Sequence, residues 1–136
     1  MTQVRLAICT RAFASAVVAF VEGLPRTRTA DVIGNQLLRA GTSVGANYRA
    51  ACRARSRKEF IAKMGIVEEE ADESAFWLGL LRERGLVDTD RASSLLKEAE
   101  QIVAMTVSSI RTARQASRST PHSAFRTPHH GSGPCS

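Results

Sequence analysis

Apolar residues in this chain recur at spacings of three and four and never settle into an alternation of two, so helices are the only regular elements that can bury them. In a first segment, from about Val4 to Glu22, the stripe Leu6, Cys9, Phe13, Val17, Phe20 and on to Leu24 shares one helical face, and Gly23 and Pro25 end it. A second helix is expected to open near Thr29 to Asp31, where a side-chain oxygen can accept a free backbone N–H. It runs to about Cys52 with Ile33, Leu37, Gly41, Val44, Tyr48 and Cys52 on its apolar arc. Ser56, followed three residues later by Glu59, is a capping box that opens the third helix. The buried face of that helix reads Phe60, Met64, Val67, Ala71, Ser74, Leu78 and Leu81, and Gly85 after Arg82 and Arg84 closes it. The fourth opens at Asp88 to Asp90, carries Leu95, Leu96, Ala99, Ile102, Val103, Thr106, Val107 and Ile110, and fades near Arg114.

Four helices of roughly 20 to 28 residues with short connections make antiparallel neighbours, hence an all-α, up-down-up-down four-helix bundle over residues 1–114. The 136 residues suffice for one domain and one core. From Gln115 the composition turns to Ser, Thr, Pro, His and Gly, and a tail over 115–136 with Phe125 as its only large apolar residue is expected to be disordered. Cys9, Cys52 and Cys135 have no metal-ligand spacing and read as small residues of a protein kept reduced in the cytoplasm. Arg5 and Arg11 ahead of the run Ala12 to Val21 imitate a secretory leader. The run is too short to span a bilayer, Arg11 interrupts the apolar stretch, and no small-x-small cleavage site follows, so neither a leader nor a membrane is expected.

Charge is segregated along the chain. Of 19 Lys and Arg against 13 Asp and Glu, residues 1–67 hold eleven cations and three anions, residues 68–100 hold four and ten, and residues 101–136 hold four and none. Sixteen of the cations are Arg, whose planar fork of donors suits phosphate and carboxylate alike. On the second helix Arg39, Arg49 and Arg53 fall within an arc of about 80°, away from Leu37 and Tyr48, and Arg55, Arg57 and Lys58 crowd the connection that follows. Six such cations can bind a nucleic-acid backbone with salt-dependent, largely sequence-independent affinity. They can equally meet carboxylates of a neighbouring helix or subunit. Stacking aromatics are nearly missing, since Tyr48 lies on the core arc. Gln36, Ala40, Ser43 and Asn47, beside Gly41 and Gly45, form a small or polar stripe that lets another helix approach, and Trp77 with Ile66 lies off the core arc as a candidate subunit contact.

Catalytic chemistry finds no support. A dinuclear metal site in a bundle needs Glu-x-x-His pairs, but His122, His129 and His130 all lie in the tail. Glu68, Glu69, Glu70, Asp72 and Glu73 spread around the third helix; Glu69, Asp72 and Glu73 share a side that reads as a salt-bridge surface rather than a cation site. No Ser or Cys has a helix-borne His to act as its base, and no glycine-rich phosphate loop is present. No catalytic residue, metal or cofactor is therefore expected.

The run Gln36-Leu-Leu-Arg-Ala-Gly-Thr-Ser-Val-Gly-Ala-Asn-Tyr48, then Ser56-Arg-Lys-Glu-Phe60-Ile61, then Glu69-Glu-Ala-Asp-Glu-Ser74 with Trp77-Leu78, resembles the four-helix bundle family of ribosomal RNA intervening-sequence proteins. The likeness covers about residues 5 to 114. It extends to the accessory variability determinant of diversity-generating retroelements, a pentameric ring with a basic surface that binds a reverse transcriptase and nucleic acid. The resemblance implies a homo-oligomer of bundles, pentameric by analogy, with a nucleic-acid-related role and no activity of its own. Where the family pattern carries proline two positions after Ser43 this chain has Gly45, and where it carries a glutamate near the end of the second helix this chain has Arg49 and Ala50, so this helix end is more basic. Two functions stand: a non-enzymatic oligomer binding RNA or DNA through Arg39, Arg49, Arg53, Arg55, Arg57 and Lys58, and an assembly or adaptor protein without nucleic-acid contact.

Overall fold

The computed structural model describes residues 2–119. They form four helices and no strand: α1 (Thr2–Glu22), α2 (Arg28–Cys52), α3 (Arg57–Glu83) and α4 (Thr89–Ser119). α1 packs against α2 and α4, and α3 packs against α2 and α4, while the diagonal pairs do not approach. The section is thus a square whose opposite edges are α1–α2 and α3–α4. The apolar stripes meet inside it: Leu6, Cys9, Phe13 and Val17 of α1 join Leu37, Val44 and Tyr48 of α2, Phe60, Met64, Val67, Leu78 and Leu81 of α3, and Leu95, Ala99 and Ile102 of α4 in one buried cluster.

α1 and α2 approach closely over two glycines of α2. A Cβ on Gly41 would lie 2.8 to 3.0 Å from the side chain of Val17, and one on Gly45 would lie 3.3 Å from both Ala14 Cβ and the Thr10 carbonyl oxygen. The glycine stripe therefore serves a contact within the chain. Asn47 in the same stripe is half-buried and satisfies its Nδ2 on the Ser43 carbonyl at 3.0 Å. The α1–α4 seam is the thinnest of the four and is closed at one end by Arg91, whose guanidinium lies 5.9 Å from the Phe20 ring centre.

Helix ends follow local hydrogen bonding. α2 begins earlier than the sequence suggests, because Thr27, extended at φ −126° and ψ 159°, accepts the Ala30 N–H at 3.1 Å and leaves Thr29 and Asp31 inside the first turn. Ser56 caps α3 as expected, its Oγ accepting the Glu59 N–H at 3.0 Å. α3 closes on Gly85 at φ +68°, with Leu86 N–H bonded to the Leu81 carbonyl and Gly85 N–H to the Arg82 carbonyl, each at 3.1 Å. Asp88 opens α4 by accepting the Asp90 N–H at 3.0 Å. α4 does not stop near Arg114 but continues to Ser119, because Ala113 still packs on the core and Arg, Ala and Gln propagate a helix at little cost. The tail expected from Gln115 is thus helical at its start, and its remainder, residues 120–136, lies outside the described residues.

One expectation about α1 changes. The apolar run Ala12 to Val21 belongs to a longer helix, and over Gln3–Glu22 α1 has a mean hydropathy of 1.8, long and apolar enough to cross a bilayer by length and composition. In the bundle its stripe from Leu6 to Phe20 is spent on the core.

Buried polar groups are mostly answered locally. Thr10 Oγ1 donates to the Leu6 carbonyl at 2.7 Å, Ser74 Oγ to the Glu70 carbonyl at 2.8 Å, and Tyr48 OH to the Gln3 carbonyl at 2.8 Å. Thr106 Oγ1 is fully buried and finds no hydrogen-bond partner among the described residues. Thr106→Val, which keeps the shape and removes that hydroxyl, is expected to raise unfolding free energy by about 1 kcal/mol in urea melts. Glycines should divide in the same assay. Gly41→Leu, forced into Val17, is expected to cost about 1 to 3 kcal/mol. Gly65→Ala, with nothing within 4 Å of the new Cβ, should stabilise α3 by about 1 kcal/mol.

Candidate functional site

The six cations singled out in the sequence do not act as one group. Arg39, midway along α2, turns toward α3 and forms a two-pronged contact with Glu70, Nη1 lying 3.2 Å from both carboxylate oxygens, while its Nη2 pairs with Glu73. Trp77 Nε1 donates to the same Glu73 Oε2 at 3.0 Å. The donation from Trp77 and then that from Arg39 hold the Glu73 carboxyl below its ordinary range, and Glu73 and Glu70 in turn raise Arg39 above its own. Arg39, although exposed, is thus engaged at the α2–α3 seam, apart from the other five cations. The same network ties Glu70 and Glu73 of the acidic run to Arg39 and Trp77. Trp77, half-buried, is occupied by Glu73 and by an edge-to-face contact with Phe76, ring centres 4.9 Å apart, and the exposed aromatic beside it is Phe76 rather than Trp77.

Arg49, Arg53, Arg55, Arg57 and Lys58 gather at the α2–α3 end. Among the described residues none of them makes an ion pair or a side-chain hydrogen bond, and all but the half-buried Arg57 are exposed. Their backbone is firmly set: the N–H groups of Arg53 and Ala54 tighten the end of α2 through 3.1 Å bonds to the Ala50 and Ala51 carbonyls, Ala54 packs on the core, and Ser56 starts α3. A short anchored connection thus presents a concentrated positive field without internal neutralisation.

Arg49 and Arg53 also border a feature that the sequence reading missed, a groove of about 590 Å³ between α1 and α2. Ala7, Ala14, Gly45 and Ala46 leave it open, Tyr48 and Cys52 lie at its base, and Arg11 of α1 completes a rim of three arginines. The signal was present in α1, where Ala7, Thr10, Arg11 and Ala14 repeat at three and four just as the core stripe does, one strip around the helix. At the base, burial pushes the Cys52 thiol up, and the hydrogen bond with Tyr48 offsets this only in part; burial also drives the Tyr48 hydroxyl above its ordinary range. Both stay protonated near neutrality, so the base of the groove carries no charge. Among the described residues no cluster of three or more His, Cys, Asp or Glu is placed to hold a metal ion.

The profile of the 23S rRNA-intervening sequence proteins matches residues 5–108. The chain belongs to that family. Among solved structures, a protein of unknown function from the S23 ribosomal protein family of Bacteroides thetaiotaomicron is 32% identical, superposes with a TM-score of 0.77, and is matched over 82% of this chain and 99% of its own. No match to the chain is found among curated proteins. The family membership accounts for the bundle and for the segments from Gln36 to Leu78 that carry the sequence likeness.

The Glu73 network carries a pH signature. A carboxyl held low in the folded state contributes stability that is complete above its unfolded value near 4.5 and is lost as pH falls through the lower folded value. Urea midpoints of the wild type and Glu73→Gln are therefore expected to differ at pH 7, the wild type being higher, and to converge as the pH is lowered below 4.

Proposed function

We propose that this protein is a non-enzymatic, oligomeric bundle of the cytoplasm that binds the backbone of RNA or DNA with the basic end between α2 and α3. The observation that carries the reading is a contrast along the α2–α3 hairpin. Arg39 shows what an arginine of α2 does when a carboxylate of α3 is in reach, whereas Arg55, Arg57 and Lys58, with Arg49 and Arg53 behind them, are left without one. Desolvated phosphates are the partners such a cluster fits, and the lack of exposed stacking aromatics there favours backbone contact over base reading. The family's link to ribosomal RNA supports RNA as the first ligand to test. The likeness to the accessory variability determinant adds a reverse transcriptase as the enzyme such a protein would assist and a five-membered ring as its assembly.

The alternative, an assembly or adaptor protein, draws on the exposed Phe76 and on the Arg39 contact, in which an α2 arginine meets α3 carboxylates. Titration of fluorescent single-stranded RNA, and of a duplex of equal length, against salt separates the two. Binding should fall steeply with salt, and Arg55→Glu/Arg57→Glu should lower affinity about tenfold or more and flatten the salt slope by about one unit per lost phosphate contact, with the mass in solution unchanged. Salt-independent binding, or none, would leave the adaptor reading in its place.

A further inference from the structure

The groove between α1 and α2 has a counterpart on the opposite edge of the square. There Phe76, 59% exposed, stands at the lip of a second groove between α3 and α4, beside Gly79, Leu80 and Leu96. Asp72, Glu83 and Glu100 surround it, and among the described residues none of the three is in an ion pair; the one cation there, Arg82, donates to Ser93 Oγ at 3.1 Å. One edge thus offers an open apolar groove rimmed by three arginines that form no ion pair among the described residues. The other offers a projecting aromatic ringed by three unpaired carboxylates.

We propose that the α1–α2 groove is the receptor for the Phe76 face of a second copy of this chain, with Arg11, Arg49 and Arg53 meeting Asp72, Glu83 and Glu100. The inference rests on the oligomeric half of the function proposed above and names its contact. Three physical points favour a second copy over other occupants. The groove takes an apolar body because its walls are alanine and glycine and its base is uncharged, which a phosphate chain cannot use. Its rim is opposite in sign to the rim around Phe76, so each face satisfies what the other lacks. An exposed phenylalanine costs free energy in water that its burial recovers, and aromatic anchors filling a central pocket dominate such contacts. Since the two faces are on opposite edges of the bundle, the contact is head-to-tail, which closes into a ring or continues as a filament according to the rotation between copies. Arg49 and Arg53 then serve assembly, and Arg55, Arg57 and Lys58 remain outward for nucleic acid.

A complementation experiment by light scattering on the full chain tests this. Wild type should be oligomeric, while Phe76→Asp alone and Arg11→Glu/Arg49→Glu alone should each be monomeric with unchanged circular dichroism, as all three residues are exposed. Mixed in equal amounts, the two variants should form a dimer and no larger species, because the first keeps an intact groove and the second an intact Phe76. A monomeric wild type, variants that retain the wild-type mass, or a mixture that stays monomeric well above the concentration at which wild type assembles would each overturn the proposal. So would Arg11→Glu/Arg49→Glu keeping the oligomer while losing binding to single-stranded RNA, since the groove would then be a phosphate site. The two readings fail separately: dimers in the mixture with no RNA bound by the wild type refute the nucleic-acid function and leave the interface standing, whereas RNA bound by a monomeric wild type does the reverse.

Discussion

The close passage of α1 over Gly41 and Gly45 of α2 is the constraint on which the rest of this bundle depends. Two helices that meet with glycine on one and Val17 and Ala14 on the other sit nearer than ordinary side chains permit, and this fixes the height at which the core layers of both align. Glycine in a helix is unfavourable by itself, so its presence twice on one face is repaid only by that contact. The same small residues that draw the helices together inside leave a groove outside, because a surface lined by alanine and glycine cannot fill the valley between two helices. Core geometry and surface shape thus have one cause.

The fold was legible in the sequence because it is written in a periodicity that survives any detail of packing. The complete stripe from Phe60 to Leu81 is buried as read, Ser56 caps α3, and Gly85 ends it with a positive φ. Ends without so direct a signal shifted: Thr27 outcompeted Thr29 and Asp31 as the cap of α2, and α4 ran past Arg114 because a helix supported on one side by Ala113 has no local reason to stop. The site was less legible, since a helical wheel gives angles about one axis and not the neighbour at each angle. Arg39 and Arg53 lie close on the wheel, yet one faces the carboxylates of α3 and the other borders α1. Arg11 was overlooked for the complementary reason, its importance arising only when α1 is laid beside α2.

Charge segregation along the chain becomes segregation in space through this connectivity. The carboxylate-rich middle of α3 is shared between two tasks: Glu70 and Glu73 close a seam with Arg39, while Asp72 turns outward with Glu83 and, from α4, Glu100. The six cations of the α2–α3 hairpin follow the same division, Arg39 toward the α3 carboxylates and the other five toward the groove and the α2–α3 connection. Net charge alone, +6, describes none of this.

The unequal seams bear on how the chain emerges during synthesis. α1 is made before α2, and among the described helices it is the one most like a membrane span, so its apolar stripe is the one most in need of cover. Its tightest partner is the next helix to appear, and the two can close over Gly41 and Gly45 while α3 is still being made. The thin contact with α4, by contrast, waits for the last helix of the bundle and asks little of it. The glycines of α2 thereby let the segment that follows α1 lie close against the most apolar helix of the described chain.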